Sequence, residues 1–127
     1  MGKTVVRTEA APAPFQGAPY NQAIRVGDLV FVAGQLGLRP GDTAVEGDIA
    51  QQTEQVLRNL AAILEAAGSS LENLVKTTVY LVDLGDFAAM NEVYARHVGD
   101  TPPARATIGV SQLPSGALVE IEAVAHL

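Results

Sequence analysis

The sequence predicts one α+β domain in which two helices lie on one face of a mixed β-sheet. Three observations support this fold class. The chain has 127 residues and is 48% apolar, which is sufficient for one hydrophobic core. Two segments carry apolar residues at helical spacing, and several shorter segments are rich in β-branched residues. Their order is one strand, two strands, a helix, a strand, a helix and two strands.

The first three strands are predicted in the N-terminal part of the chain. Residues 3–8 alternate weakly between polar and apolar side chains, as in a short strand. Residues 10–19 contain prolines and a glycine, which predicts an irregular loop. The β-rich runs 20–26 and 29–33 are separated by a glycine-containing pair and therefore predict a hairpin. The polar, glycine-rich residues 34–47 predict a loop.

Both predicted helices carry start signals. Asp48 is a suitable N-cap for the first helix, and Gly68 can end it in a left-handed conformation. Asp86 is a suitable N-cap for the second helix. The predicted buried stripe of this second helix consists of Phe87, Met90, Val93, Tyr94 and His97.

Three further strands complete the predicted sheet. Residues 74–82, between the helices, are β-branched and alternate in polarity. Two prolines then precede a strand at residues 104–110, and a turn at residues 113–116 leads into a last strand at residues 117–125. Because no linker or repeat interrupts this pattern, residues 1–127 are expected to form a single domain.

Composition and charge disfavour several classes of function. The formal net charge of −6 opposes nucleic-acid binding, because phosphate contacts require a dense basic surface. The chain has no cysteine, and its two histidines lie outside any ligand-spaced motif, so we expect no metal site. No apolar run is long enough to cross a membrane, and the N-terminus lacks a signal-peptide core. We therefore expect a cytoplasmic protein with no membrane or nucleic-acid partner.

Two charged residues on the last two predicted strands are candidates for a functional site. Side chains alternate across a strand, and the apolar sets that include Ile108 and Ile121 are expected to face the helices. Arg105, with Thr107, and Glu120 are then predicted to project from the opposite face. Arginine can hold a carboxylate with two hydrogen bonds, and a nearby glutamate can activate water. This pair predicts a site for a small carboxylic acid.

The sheet face predicted to lie away from the helices is only partly polar. The middle strand carries apolar or β-branched residues on both faces, and so does the strand at residues 29–33. A two-layer domain with apolar residues on both sheet faces should bury the second face against another chain. We therefore expect a homo-oligomer with Arg105 and Glu120 in a cleft near the subunit boundary.

Six segments form a specific pattern through their joint order and spacing over nearly the whole chain. They read APYNQA at 18–23, FVAGQ at 31–35, NLVKTTVYL at 73–81, FAAMNEVY at 87–94, PPARAT at 102–107 and VEIEAVA at 119–125. In this pattern the chain resembles the RidA (YjgF/YER057c/UK114) family of reactive intermediate deaminases. The resemblance implies a chorismate-mutase-like fold and a homotrimer whose sheets form a central barrel, with three sites in the subunit clefts.

The resemblance also implies a reaction. Members of the family hydrolyse 2-enamino and 2-imino acids, such as 2-aminoacrylate or 2-iminobutyrate, to 2-keto acids and ammonia, and use no metal or organic cofactor. Arg105 falls on the arginine that binds the substrate carboxylate. Glu120 falls on the glutamate that positions the attacking water or moves a proton. The chain is thus expected to be a 2-iminobutanoate/2-iminopropanoate deaminase-like hydrolase.

Five further positions are implicated by the resemblance. Tyr20 falls on a tyrosine that lines the site, and Gly34 and Asn91 fall on recurrent positions near the pocket. Two positions depart from the family. Ala33 replaces a serine and removes a hydroxyl donor, and Thr107 replaces the cysteine of several members, so that thiol chemistry cannot occur there.

Other interpretations remain open. Arg105 could form a structural ion pair with Glu120 or Glu122 at an interface. The same carboxylate site could serve a ligand sensor or regulatory protein without turnover. An endoribonuclease activity, attributed to some members of the family, is disfavoured by the negative charge. A holdase-type chaperone has no sequence-specific sign.

Overall fold

The computed structural model describes residues 2–127 and confirms the predicted α+β fold: a six-stranded mixed sheet with two helices on one face. The element order is also as predicted. The strands are β1 (Thr4–Val6), β2 (Ala23–Val26), β3 (Leu29–Leu36), β4 (Leu74–Leu81), β5 (Ala104–Gly109) and β6 (Val119–His126), and the helices are α1 (Ile49–Ala66) and α2 (Phe87–Val98).

The strand order across the sheet is β1-β2-β3-β6-β4-β5. Strands β4 and β5 are parallel and are connected through α2, whereas the other neighbouring strands are antiparallel. The last strand, β6, therefore lies between β3 and β4, and β5 forms one edge of the sheet. This topology sets which side chains of β5 and β6 can meet.

Helix α1 begins and ends as predicted. Asp48 and Gln51 form a reciprocal capping box, in which each backbone N–H donates to the other side chain at 2.9 Å. Gly68 follows the helix with φ +86°, the left-handed conformation that glycine adopts at least cost. The apolar stripe of α1 packs on the sheet, and its residues Val56, Leu57, Leu60, Ile63 and Leu64 are fully buried.

Helix α2 differs from the prediction at two positions. Asp86 occupies the N-cap position, but its side chain makes no capping hydrogen bond. Asp83 instead accepts a hydrogen bond from the Gly85 N–H at 2.8 Å in the preceding turn. Phe87 was predicted to be buried and is 44% exposed, because it lies at the first turn of α2, at the margin of the helix layer. Met90, Val93 and Tyr94 are buried as predicted, and His97 is half-buried, with its Nε2 atom 2.8 Å from Glu54 Oε1.

The ends of β2 and β3 also differ from the prediction. Strand β2 begins at Ala23, so Tyr20 lies in the loop before it. Strand β3 continues to Leu36 and so includes Gly34, which was predicted to begin the loop, whereas Ala33 lies in the strand as predicted. Its register against β6 shifts between Val32 and Gln35. Such a bulge lets a strand continue through a glycine while changing the direction of its side chains.

The face of the sheet opposite the helices is open in the single chain. Leu29, Phe31 and Ile108 lie on this open face with 41%, 46% and 44% of their surface exposed. Exposed apolar side chains grouped on one sheet face agree with the expected homo-oligomer, which remains a prediction. Within residues 2–127, none of the helices has the length and apolar character needed to cross a membrane.

Candidate active site

Arg105 lies on the helix side of the sheet, so its predicted orientation is wrong. It is paired with Thr77 in the parallel β4–β5 ladder, and side chains paired across strands project from the same face. Thr77 is fully buried beneath α2 and shares a 2.6 Å hydrogen bond with the hydroxyl of Tyr94. Thr107 follows Arg105 by two residues and has the same orientation. The apolar residue Ile108 therefore projects from the open face.

Two aromatic rings of α2 contact the guanidinium of Arg105. Its Cζ atom lies 4.9 Å from the centre of the Tyr94 ring and 5.5 Å from the centre of the Phe87 ring. Within residues 2–127, no carboxylate forms an ion pair with Arg105. The structural ion pair with Glu120 or Glu122 is thus absent from the single chain. A half-buried guanidinium without a carboxylate partner is able to receive one.

Asn91 lies on the same side of α2 as the two rings. It follows Phe87 by four residues and precedes Tyr94 by three, and residues at these spacings share a helix face. Its Oδ1 atom is buried and accepts no hydrogen bond from residues 2–127. A buried acceptor without a donor is costly, and this is typical of a site that a ligand or partner completes.

Glu120 projects from the open face, as predicted, and sits against Gly34. It is paired with Tyr80 on β4 and with Leu36 on β3. A Cβ atom added to Gly34 would overlap the carboxylate and would lie 2.8 Å from Glu120 Cδ. Gly34 does not have a positive φ, so it is required here for space rather than for backbone conformation. The bulge in β3 and the absence of a side chain at Gly34 together make room for this carboxylate.

The environment of Glu120 favours its protonated form. Burial raises the pKa of Glu120, and the negative charge of Glu122, two residues along the same strand, raises it further. Tyr80 donates a hydrogen bond of 2.7 Å to Glu122 Oε1, and this bond is the main reason that the pKa of Tyr80 is raised. A carboxyl group with a raised pKa can take up and release a proton closer to neutral pH.

Tyr20 and Ala33 lie near the same end of the sheet as Gly34. Tyr20 borders a small crevice that Gly34 also lines, and its hydroxyl accepts a 2.9 Å hydrogen bond from the Phe15 N–H. The Ala33 N–H donates to the Gln22 carbonyl at 2.9 Å, so the backbone of Ala33 extends the pairing of β3 to the residue before β2.

The structure thus separates the predicted site residues into two half-sites. The arginine half-site is defined by Arg105 and Thr107 on the helix side of the sheet, together with Asn91 on the face of α2 that carries the two rings. The glutamate half-site contains Tyr20, Ala33, Gly34 and Glu120. Strand β4 separates β5 from β6, and the two charged groups project from opposite faces, so they cannot meet within one chain. Among residues 2–127, no group of three or more potential protein ligands is arranged to hold a metal ion.

Comparisons with known proteins bear on what these half-sites are. A family model described as "Endoribonuclease L-PSP" matches residues 8–127. A RutC family protein of Pyrococcus abyssi is 52% identical over 127 residues, which covers 99% of this chain and 98% of the relative. The chain belongs to the RidA family. The Reactive Intermediate Deaminase A of Arabidopsis thaliana, a chloroplastic protein, is 47% identical over 126 residues, or 98% of this chain and 66% of the relative.

A solved structure similar to this chain confirms the fold. The crystal structure of E. coli TdcF with bound serine superposes with a TM-score of 0.91 at 36% sequence identity, and the match covers 98% of each chain. One of the relatives reported above is named a reactive intermediate deaminase, and this supports the assignment of the chain to enzymes of the deaminase type.

The aromatic contacts of Arg105 were not anticipated. Phe87 and Tyr94 were assigned to the buried stripe of the second helix. The signal available in the sequence was the spacing of Phe87, Asn91 and Tyr94 along one face of α2. That spacing is the same for a core stripe and for a ligand-facing stripe, so the sequence does not distinguish them.

Proposed function

We propose that this protein hydrolyses 2-enamino and 2-imino acids to 2-keto acids and ammonia, with Arg105 binding the substrate carboxylate and Glu120 positioning water. The observation that supports this proposal best is the half-buried, unpaired guanidinium of Arg105. Its in-plane N–H groups are available for a bidentate carboxylate. The names of two relatives agree with a small ligand of this class: one is a reactive intermediate deaminase and the other was solved with bound serine, which carries a carboxylate.

We propose that a complete site forms between two copies of the chain. Arg105 and Glu120 project from opposite faces of one sheet, so a single substrate can contact both groups only if they belong to different chains. The exposed apolar residues of the open face, including Phe31 and Ile108, provide a surface for such association. A homotrimer, in which each subunit supplies one half-site to each neighbour, would contain three sites.

The chemistry requires little beyond positioning and proton transfer. The enamine first becomes the imine by gaining a proton at C3 and losing one from nitrogen. Water then adds to C2 as one of its protons is accepted by a base and passed to nitrogen, which gives a carbinolamine. The hydroxyl proton is then transferred to nitrogen while the C2–N bond breaks, so that ammonia leaves and the keto oxygen remains. Holding the carboxylate fixes C2 relative to the water, and positioning can lower such a barrier by several kcal/mol. Glu120, with its raised pKa, is suited to accept and return the proton.

The first test is a coupled assay. A threonine or serine dehydratase would generate the imine in place, and keto-acid formation would be followed with and without this protein. We expect acceleration by the wild type and a fall of roughly 100-fold in kcat/KM for Arg105→Ala, because two hydrogen bonds to a charged group are lost. Arg25→Ala is the matched control, since Arg25 is exposed and, among the described residues, its side chain donates only to the nearby Gly27 carbonyl. Lack of acceleration by the wild type would exclude turnover of these substrates and favour a ligand sensor.

A second test addresses the shared site. Arg105→Ala and Glu120→Gln chains would be assayed separately and after denaturation and refolding as a mixture. If each site takes one residue from each of two chains, the mixture should regain about one quarter of wild-type activity, because half of the chains carry each intact residue. If both residues act within one chain, the mixture would remain as inactive as either variant.

The remaining parts of the proposal are a cytoplasmic location and catalysis without a cofactor. The word endoribonuclease in the description of the family model suggests a test with RNA. The net charge of −6 disfavours that activity. RNA cleavage that copurifies with the wild type and is lost in Arg105→Ala would support it instead.

A further inference from the structure

We infer that Phe87 is a positioning residue, which together with Tyr94 holds the Arg105 guanidinium in the orientation needed to bind a carboxylate. The inference goes beyond the proposed function by adding residues that act through Arg105, and its functional part rests on that proposal.

The two rings differ in how firmly they are held. Tyr94 is buried, and its hydroxyl is fixed by the 2.6 Å hydrogen bond with buried Thr77. Phe87 is 44% exposed, although an apolar side chain of this size gains stability from burial. Its ring centre lies 5.5 Å from Arg105 Cζ, within the range of a cation–π contact. The exposed ring is thus placed against a cation rather than in the core.

An aromatic contact restrains an arginine without occupying its hydrogen-bond donors. A guanidinium presents its five donors in the molecular plane, whereas an aromatic ring can stack on its flat face. In contrast, Arg39, Arg58 and Arg96 are each held by carboxylates, which take up donors. The contacts with Phe87 and Tyr94 therefore restrict the flexible side chain of Arg105, and within residues 2–127 no carboxylate takes up its donors.

Restriction of Arg105 should raise its affinity for a carboxylate. If only a fraction of the molecules has the guanidinium in the competent orientation, the apparent dissociation constant increases by the reciprocal of that fraction. Loss of one aromatic contact at a partly exposed site is expected to raise the apparent dissociation constant for a carboxylate about two- to five-fold. Phe87→Leu removes the π face but keeps an apolar side chain and a good helix former, so the variant should fold.

The experiment combines a structural and a binding measurement. Protein labelled with ¹⁵N-arginine would give the Nε–H signal of Arg105, assigned from its absence in Arg105→Lys. We expect an ordered signal in the wild type, with a ring-current shift that decreases in Phe87→Leu and is retained in Phe87→Tyr. Binding of 2-oxobutyrate would be titrated beside its neutral analogue 2-oxobutanamide. Phe87→Leu should weaken binding of the acid about two- to five-fold and leave binding of the amide unchanged. Phe87→Tyr should bind both compounds as the wild type does.

The outcomes separate this inference from the proposed function. An Arg105 signal that is equally mobile in the wild type and in Phe87→Leu would overturn the inference, whatever the protein binds. If Phe87→Leu weakened binding of the acid and of the amide equally, the inference would also be overturned, since that pattern indicates a general change of the pocket. In an Arg105→Ala background, Phe87→Leu should have no further effect on the affinity for 2-oxobutyrate. An additional loss of affinity in that background would refute action through Arg105. An ordered, Phe87-dependent signal in a protein that does not bind 2-oxobutyrate would support the positioning role and count against the proposed function.

Discussion

Substitution of Gly34 by alanine tests whether the position of the Glu120 carboxylate is necessary for activity. The added Cβ would lie 2.8 Å from Glu120 Cδ and 3.2 Å from Cγ, whereas unstrained carbon atoms approach to about 3.5–4.0 Å. Glu120 lies on a strand, so its backbone cannot retreat easily and the carboxylate itself must move by roughly 1 Å. A displacement of this size at a reacting group can lower the rate by about 100-fold.

Stability should change much less than activity in Gly34→Ala. Gly34 does not have a positive φ, so alanine fits the backbone there. A compatible Gly→Ala change stabilises a protein by about 0.4–1 kcal/mol through the unfolded chain, and this partly offsets the strain at Glu120. We expect the free energy of unfolding to change by less than about 1 kcal/mol.

The assay for Gly34→Ala is kcat/KM for the dehydratase-generated imine, with urea denaturation measured in parallel. The matched control places the substitution in a Glu120→Ala background, where no carboxylate remains to be displaced. There, Gly34→Ala should produce no further loss. Wild-type kcat/KM in the single variant would refute the reasoning, and a further loss in the Glu120→Ala background would show that Gly34 acts on some other part of the site.

Four more predictions follow from contacts elsewhere in the chain. When kcat/KM is plotted against pH, its rise on the acid side should occur at a higher pH than the ordinary pKa of a glutamate, because the pKa of Glu120 is raised. Glu122→Gln removes a neighbouring negative charge and should move this rise to lower pH. A hydrogen bond from His97 lowers the pKa of Glu54, so Glu54→Gln should cost about 1 kcal/mol or less at pH 7, and urea titrations should show this difference disappearing as the pH falls through the lowered pKa. Gln22→Ala should cost about 1–3 kcal/mol and expose the Thr8 amide to hydrogen exchange, because buried Gln22 holds the segment at residues 8–12. Ile108→Glu should leave the circular dichroism unchanged but give a monomer by sedimentation, whereas an unchanged oligomer would show that the open face is not the interface.

The elements of the fold were predictable because they depend on local signals. The Asp48 capping box, the left-handed Gly68 and the apolar spacing of α1 each constrain only a few neighbouring residues. The extension of β3 through Gly34 was not predictable in this way. It depends on pairing with β6, which lies more than 80 residues away in the chain, and a glycine in isolation indicates the end of a strand as readily as a bulge.

The orientation of Arg105 was mispredicted for a related reason. In a sheet covered on one face, the apolar side of each strand is expected to face the helices, and this assigned Ile108 to the core. Strand β5 is an edge strand whose faces are set by its register with β4, and that register places Arg105 beside Thr77 under α2. The polar side chains of β5, which include Arg105, thus lie on the side of Tyr94, and its apolar side chains, which include Ile108, lie on the open face.

The mispredicted strand is also an argument for assembly. In a monomer, β5 would gain stability if its apolar residues faced α2 and its polar residues faced water. The chain has the opposite arrangement, with Ile108 exposed and Arg105 half-buried against two aromatic rings of α2. An apolar residue on the open face gains stability only if another chain covers that face. The proposed site also requires a second chain, because Arg105 and Glu120 project from opposite faces of one sheet. The exposed Ile108 and the separated half-sites are therefore two independent reasons to expect the homo-oligomer that the sequence predicted.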